Sequence, residues 1–96
     1  MASIVVIAKI SVVIGQAQKI KPELKKIIQH TLEEDGCIQY DCHQDVDDPH
    51  QFYFYEIWKS KAHLTAHSQS PHIKAFGSTT NDMIAGFEMS VMKKLQ

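Results

Sequence analysis

The spacing of apolar and polar residues changes several times along this chain, and each change marks an element. Residues 4–13 are mostly β-branched, with Ile4, Val5, Val6 and Ile7 consecutive and Gly15 ending the run. That predicts a strand buried on both faces over its first half. From Lys19 the apolar positions become Ile20, Leu24, Ile27, Ile28 and Leu32, a helical spacing, with Pro22 expected in the first turn and Gly36 expected to stop the helix. Residues 37–45 alternate Ile38, Tyr40 and Cys42 against Gln39, Asp41 and His43, which predicts a strand with one polar face at a sheet edge. Asp47, Asp48 and Pro49 make the turn into residues 51–58, where Phe52, Phe54, Glu56 and Trp58 share one face and Tyr53, Tyr55 and Ile57 the other. Two apolar faces predict a central strand.

Ser60 is the expected N-cap of a helix to Gln69, and Ser70-Pro71 caps and opens another with Ile73, Phe76, Thr80 and Met83 on one side. Residues 84–95 alternate Phe87, Met89 and Val91 against Glu88, Ser90 and Met92, a final strand. The order β, α, β, β, α(α), β predicts an α+β fold: a ferredoxin-like split βαβ sandwich with an antiparallel sheet and its helices on one face. The second apolar face of the first and third strands then needs cover, and a second copy of the same sheet supplies it, so a homodimer through the sheet face is expected.

Composition narrows the function classes. At 96 residues, with no linker or repeat, residues 1–96 are expected to form one domain. A net charge of -1 and 44% apolar residues argue against nucleic acid as a partner, and no 18-residue apolar stretch predicts a membrane span. All ten cationic residues are lysine, so no guanidinium fork is available for phosphate or carboxylate. Cys37 and Cys42 stand an odd number of residues apart, which places them on opposite faces of a regular strand and predicts no bridge between them. A reduced, cytoplasmic protein is the expectation.

The candidate chemistry gathers between Phe52 and Phe76. On the helix after Ser60, His63 and His67 fall within the arc of Ala62, Ala66 and Leu64, opposite Lys61, Thr65, Ser68 and Gln69. Both rings are therefore expected to point at the sheet, near Glu56 and Trp58. Polar groups facing an apolar wall need partners or a ligand. Satisfied interior histidines are the plain reading; three histidines, at 63, 67 and 72, beside a tryptophan and a carboxylate favour a pocket. Phe54 and Phe76, with Tyr40 opposite the aromatic strand, are candidates to line it. His63 and His67 at i and i+4, with His72 or Glu56, could share a metal, but Leu64 stands where the helical zinc motif has glutamate, so no metal is expected.

The strings Glu34-Asp35-Gly36-Cys37-Ile38-Gln39-Tyr40-Asp41 and Phe52-Tyr53-Phe54-Tyr55-Glu56-Ile57-Trp58, followed by His67, Ser70-Pro71-His72 and Phe76, resemble the antibiotic biosynthesis monooxygenase family over essentially the whole chain. The resemblance implies a dimeric α+β barrel with a cavity in each subunit and oxidation of a small quinol-like or polyphenolic aromatic by O2 without cofactor. It puts Glu56, Trp58, His67 and His72 on recurrent motif positions. The roles expected are His67 as base, Trp58 as stacking wall, Glu56 as the group orienting a histidine, and His72 or His63 as proton donor. Haem-degrading relatives are similar in using a first-strand asparagine, absent here, where Ala8 and Lys9 stand; some polyketide oxidases use an arginine, also absent. Two alternatives stay open: an isomerase of a small phosphorylated carbonyl compound, with Lys74 as the nearby cation, and a noncatalytic ligand-binding dimer.

Overall fold

The computed structural model describes residues 3–96 and contains β1 (Ile4–Val12), α1 (Ala17–Leu32), β2 (Cys37–Gln44), β3 (Gln51–Trp58), α2 (Lys61–Ser68), α3 (Pro71–Thr79) and β4 (Ile84–Lys93). The strands form one sheet in the order β2-β3-β1-β4, antiparallel throughout. This is the ferredoxin-like α+β arrangement expected from the element order. Paired residues share a face, so Val6 with Glu56, Ala8 with Phe54 and Ile10 with Phe52 define the helix-covered side. Ile20, Leu24 and Ile27 of α1 close over it with Tyr40, Phe52, Phe54 and Trp58.

Three local readings change. Helix α1 begins at Ala17, so Pro22 lies in its second turn and withholds the N–H that residue 18 would otherwise receive. At the other end Thr31 is fully buried and Leu32 is exposed, because the last turn rotates the apolar stripe away from the sheet. Gly36 does not cap the helix: the C-cap is Glu33, and Gly36 instead turns the chain into β2 with φ at +83°, a conformation glycine reaches without strain.

The pairing of β2 with β3 slips between Cys37 and Gln39. One extra residue reverses the alternation, so Cys37, Tyr40 and Cys42 pair with Trp58, Glu56 and Phe54 and share their face. The cysteines therefore lie on one side, not two, yet both remain free thiols. Burial pushes each up to about 11, with Glu34 and then Glu56 adding to it at Cys37 and a hydrogen bond from the His43 backbone opposing it at Cys42.

The helices cover β2, β3 and β1 but not β4. Phe87, Met89 and Val91 pair with Ile10, Ala8 and Val6, so they share the helix side of the sheet, yet they stay 59%, 50% and 42% exposed. The uncovered half of that face, roofed only by α2 and α3, is where a cavity opens. The opposite face carries Ile7, Tyr55 and Met92, all exposed. Among the described residues no helix is long and apolar enough to cross a membrane.

Candidate active site

Glu56 is the one acidic residue on the covered face of β3, and it is only 4% exposed. Two residues on, the same face carries Trp58, whose Nε1–H donates to Glu56 Oε1 at 2.8 Å. Burial pushes the Glu56 carboxyl up to about 7; the indole hydrogen bond opposes this, and the charge of Glu34 adds to it. Trp58 has no exposed surface, so it stands behind the cavity wall as packing and as a donor.

His67 occupies the last turn of α2, 6% exposed. Its Nδ1 lies 2.6 Å from Glu34 Oε2, and His72 Nε2 lies 2.7 Å from the same oxygen. A carboxylate only accepts, so both rings donate. Burial holds the His67 pKa below its ordinary value, with Glu34 opposing and His72 adding to the depression. The neutral ring with its proton on Nδ1 keeps a lone pair on Nε2, and among the described residues Nε2 has no hydrogen-bond partner. Trp58 backs the ring at 4.6 Å between centroids, and Tyr40 meets it near edge-on at 5.4 Å.

Local structure explains this convergence. Glu34 sits in the turn after α1, where its N–H donates to the Thr31 carbonyl and its carbonyl accepts from the Cys37 N–H. Ser70 joins the other two elements: its hydroxyl donates to the His67 carbonyl at 2.7 Å and accepts from the Ile73 N–H, capping α3. His67 and His72 are thereby held five residues apart on one carboxylate. His72 also stacks on His30, with ring centroids 5.6 Å apart.

A cavity of about 440 Å³ lies between the β1–β4 half of the sheet and helices α2 and α3. Its walls are largely apolar: Ala8, Ile10, Phe54, Phe87, Met89 and Val91 from the sheet, with Ile27, Leu64, Ile73 and Phe76 from the helices. The polar groups are few. Glu56, His67 and Tyr40 line the interior, and Lys61, Thr65 and Ser68 come from exposed positions of α2. Burial raises the Tyr40 phenol above its ordinary pKa, with Glu56 adding to the effect, so the cavity keeps a phenolic O–H.

The structure thus brings His67, Glu56, Tyr40, Phe54 and Phe76 to one cavity. It does not bring His63, His72 or Trp58 to its surface. The His63 ring fills the space beside Gly36 where a Cβ would sit; its Nδ1 is 2.7 Å from Ser60 Oγ and its Nε2 3.6 Å from an Asp35 carboxylate oxygen. Helix α2 is rotated from the expected arc: Ala62 and Ala66 are exposed, and Lys61, Leu64, Thr65 and Ser68 face the cavity. Two alanines bury too little apolar area to orient an eight-residue helix. The group orienting His67 is Glu34, not Glu56, whose hydrogen bond goes to Trp58. In sequence Glu34 showed only as the first residue of the string before Gly36. Phe87, Met89 and Val91 were legible as an alternating strand but carried no sign of a cavity.

Glu34, His67 and His72 also form a cluster whose three donor atoms all lie within 4.8 Å of one another.

The profile of a family described as antibiotic biosynthesis monooxygenase matches residues 3–78. Among its relatives, "Probable quinol monooxygenase YgiN" of Escherichia coli (strain K12) is 32% identical, over 92% of this chain and 94% of its own length. "Uncharacterized protein sll1783" of Synechocystis is 29% identical over 77% of this chain, and the match spans 56% of that longer relative. The crystal structure of PA3566 from Pseudomonas aeruginosa superposes with a TM-score of 0.95 at 29% identity, over 100% of this chain and 97% of the other.

Proposed function

The chain belongs to the antibiotic biosynthesis monooxygenase family, and from that premise we propose that it is a cofactor-independent monooxygenase of a small quinol-like aromatic, with His67 as the base. The observation that carries this reading is the His67 ring, tied through Nδ1 to Glu34 with Nε2 free of a hydrogen-bond partner, in the wall of an apolar cavity. A volume of about 440 Å³ falls in the range of roughly 300–1,000 Å³ usual for small-molecule sites. The relative YgiN, named as a quinol monooxygenase, supports the substrate class.

In this reading Nε2 removes a phenolic proton, and the electron-rich anion reduces O2 directly. One oxygen atom enters the ring, the other leaves as water, and the quinol, oxidised to a hydroxyquinone, supplies all four electrons. The imidazolium forming on His67 is stabilised by the Glu34 carboxylate, and the Tyr40 hydroxyl and protonated Glu56 are the available donors to the nascent peroxide. Trp58 and Tyr40 keep the ring of His67 in place. The phosphorylated-substrate alternative needs a cation in the cavity; Lys74 is not among the lining residues, where the cation is Lys61.

Oxygen uptake with 1,4-dihydroxynaphthalene, corrected for autoxidation, tests the assignment. His67→Ala is expected to lower turnover by about 10²–10⁴-fold. Wild-type uptake no faster than autoxidation would end the monooxygenase reading, and an undiminished His67→Ala rate would end the base assignment.

The homodimer belongs to the same proposal. Ile7, Tyr55 and Met92, exposed on the face away from the helices, form with Val5 and Ile57 an apolar surface that sheet-to-sheet packing would cover. Sedimentation equilibrium giving a monomer at micromolar concentration would remove it.

A further inference from the structure

The Glu34 cluster is more than the base needs. One carboxylate suffices to fix the tautomer of His67, yet a second imidazole from another helix converges on the same oxygen. Three elements supply the set: the turn before β2, the end of α2 and the start of α3. Two imidazoles and one carboxylate are the donors that zinc and neighbouring divalent transition ions select, and magnesium and calcium do not. We propose that Glu34, His67 and His72 form a zinc-type binding site, with His67 bound through Nδ1, His72 through Nε2, and the fourth position left to water.

The geometry is close to what the ion requires. Tetrahedral zinc with bonds of about 2.0–2.1 Å holds neighbouring donor atoms roughly 3.3 Å apart. The two N···O separations are 2.6 and 2.7 Å, so each nitrogen must move from the Glu34 oxygen by well under 1 Å to admit it, and the two nitrogens already lie within 4.8 Å of each other. Glu34 and His72 keep 14% and 19% of their side chains exposed, which gives an ion access from solvent on the helical side. His30, stacked on His72, restrains that ring in its present plane.

Coordination would change the cavity without entering it. To bind through Nδ1, the neutral His67 ring gives up the proton it now donates to Glu34 and carries it on Nε2 instead. His72 likewise gives up the Nε2 proton it donates to Glu34 and binds with its ring proton on Nδ1. The lone pair on His67 Nε2 becomes an N–H, and a base becomes a donor. The coordination itself is independent of the proposed reaction; the loss of the base rests on it, so zinc is expected to inhibit quinol oxidation.

The test is calorimetric titration of the metal-free protein with zinc, together with long-range ¹⁵N–¹H spectra of the histidine rings. One zinc ion per chain is expected, with a dissociation constant of about 10 µM or tighter, and the His67 proton should move from Nδ1 to Nε2 on saturation. His72→Ala and Glu34→Gln should each weaken binding by about 100-fold, whereas His43→Ala, on the exposed edge strand, should leave it unchanged. Absence of binding, binding indifferent to both substitutions, or a saturated wild-type spectrum with the proton still on Nδ1 would each overturn the site. The wild-type spectrum decides the matter even if a variant fails to fold. Quinol oxidation absent from the metal-free protein would refute the proposed function and leave the site standing; oxidation undiminished at saturating zinc would refute the inhibition.

Discussion

Glu56→Gln should separate the cost of a buried carboxylate from the rest of the fold. The Glu56 carboxyl rises from an ordinary 4.5 to about 7, and each pKa unit is worth about 1.4 kcal/mol. Between these values the native state holds a proton that the unfolded chain has released, so stability falls as pH rises from about 4.5 and the loss is complete above about 7. The full effect is about 3 kcal/mol, and between pH 5 and pH 8 it amounts to about 2 to 3 kcal/mol. Glutamine keeps an oxygen to accept from Trp58 Nε1, now 2.8 Å from Glu56, but adds an amide N–H₂ that needs partners, at a cost of about 1–3 kcal/mol that does not vary with pH. The informative quantity is therefore a difference of differences. Urea unfolding of both proteins at pH 5 and pH 8, at one protein concentration, should show the variant gaining about 2 to 3 kcal/mol relative to wild type at the higher pH, equivalent to about 10–20 °C in Tm. A gap between the two proteins that stays constant within about 0.5 kcal/mol from pH 5 to pH 8 would mean that Glu56 titrates alike folded and unfolded. The burial argument would then be wrong, and with it the protonated Glu56 invoked as a donor in the cavity.

Other substitutions probe the supports of the site. Gly36→Ala meets a φ of +83° and the His63 ring together; it should cost about 2–5 kcal/mol, and adding His63→Ala should recover only the packing part, so additive effects in denaturant unfolding would contradict the contact. Ser70→Ala removes both the α3 cap and the bond to the His67 carbonyl and should cost about 1–2 kcal/mol; a change below about 0.3 kcal/mol would mean that the cap contributes nothing. Cys37 and Cys42, both near 11, should react with iodoacetamide at pH 8 about 100-fold more slowly than an unperturbed cysteine; mass spectrometry showing the unperturbed rate would refute their burial.

Much of the fold was legible because its signals are local. Alternation in residues 51–58, the serine caps at 60 and 70 and the helical spacing after Lys19 each act within one or two turns of chain, so they read correctly as elements. The resemblance strings, also local, located the family. The errors fall where one residue of slippage or rotation changes everything downstream. A single extra residue in β2 put both cysteines on the same face, and a rotation of the short helix α2 sent His63 to Gly36 while leaving His67 at the cavity.

By itself, then, the sequence determined the order of elements, the apolar side of β1, β3 and β4 and the presence of histidines, a tryptophan and a carboxylate near one junction. Only the tertiary structure decided which carboxylate serves which partner. Glu56, two residues from Trp58, bonds the indole, whereas Glu34 reaches His67 across 33 positions of sequence and His72 across 38. The physical reason is one of range: periodicity and capping are set by neighbours along the chain, but a hydrogen bond between a turn and two helices exists only after the sheet has packed them against it. The cavity has the same origin. No single segment encodes it, because it is the space left where α2 and α3 fail to cover β4.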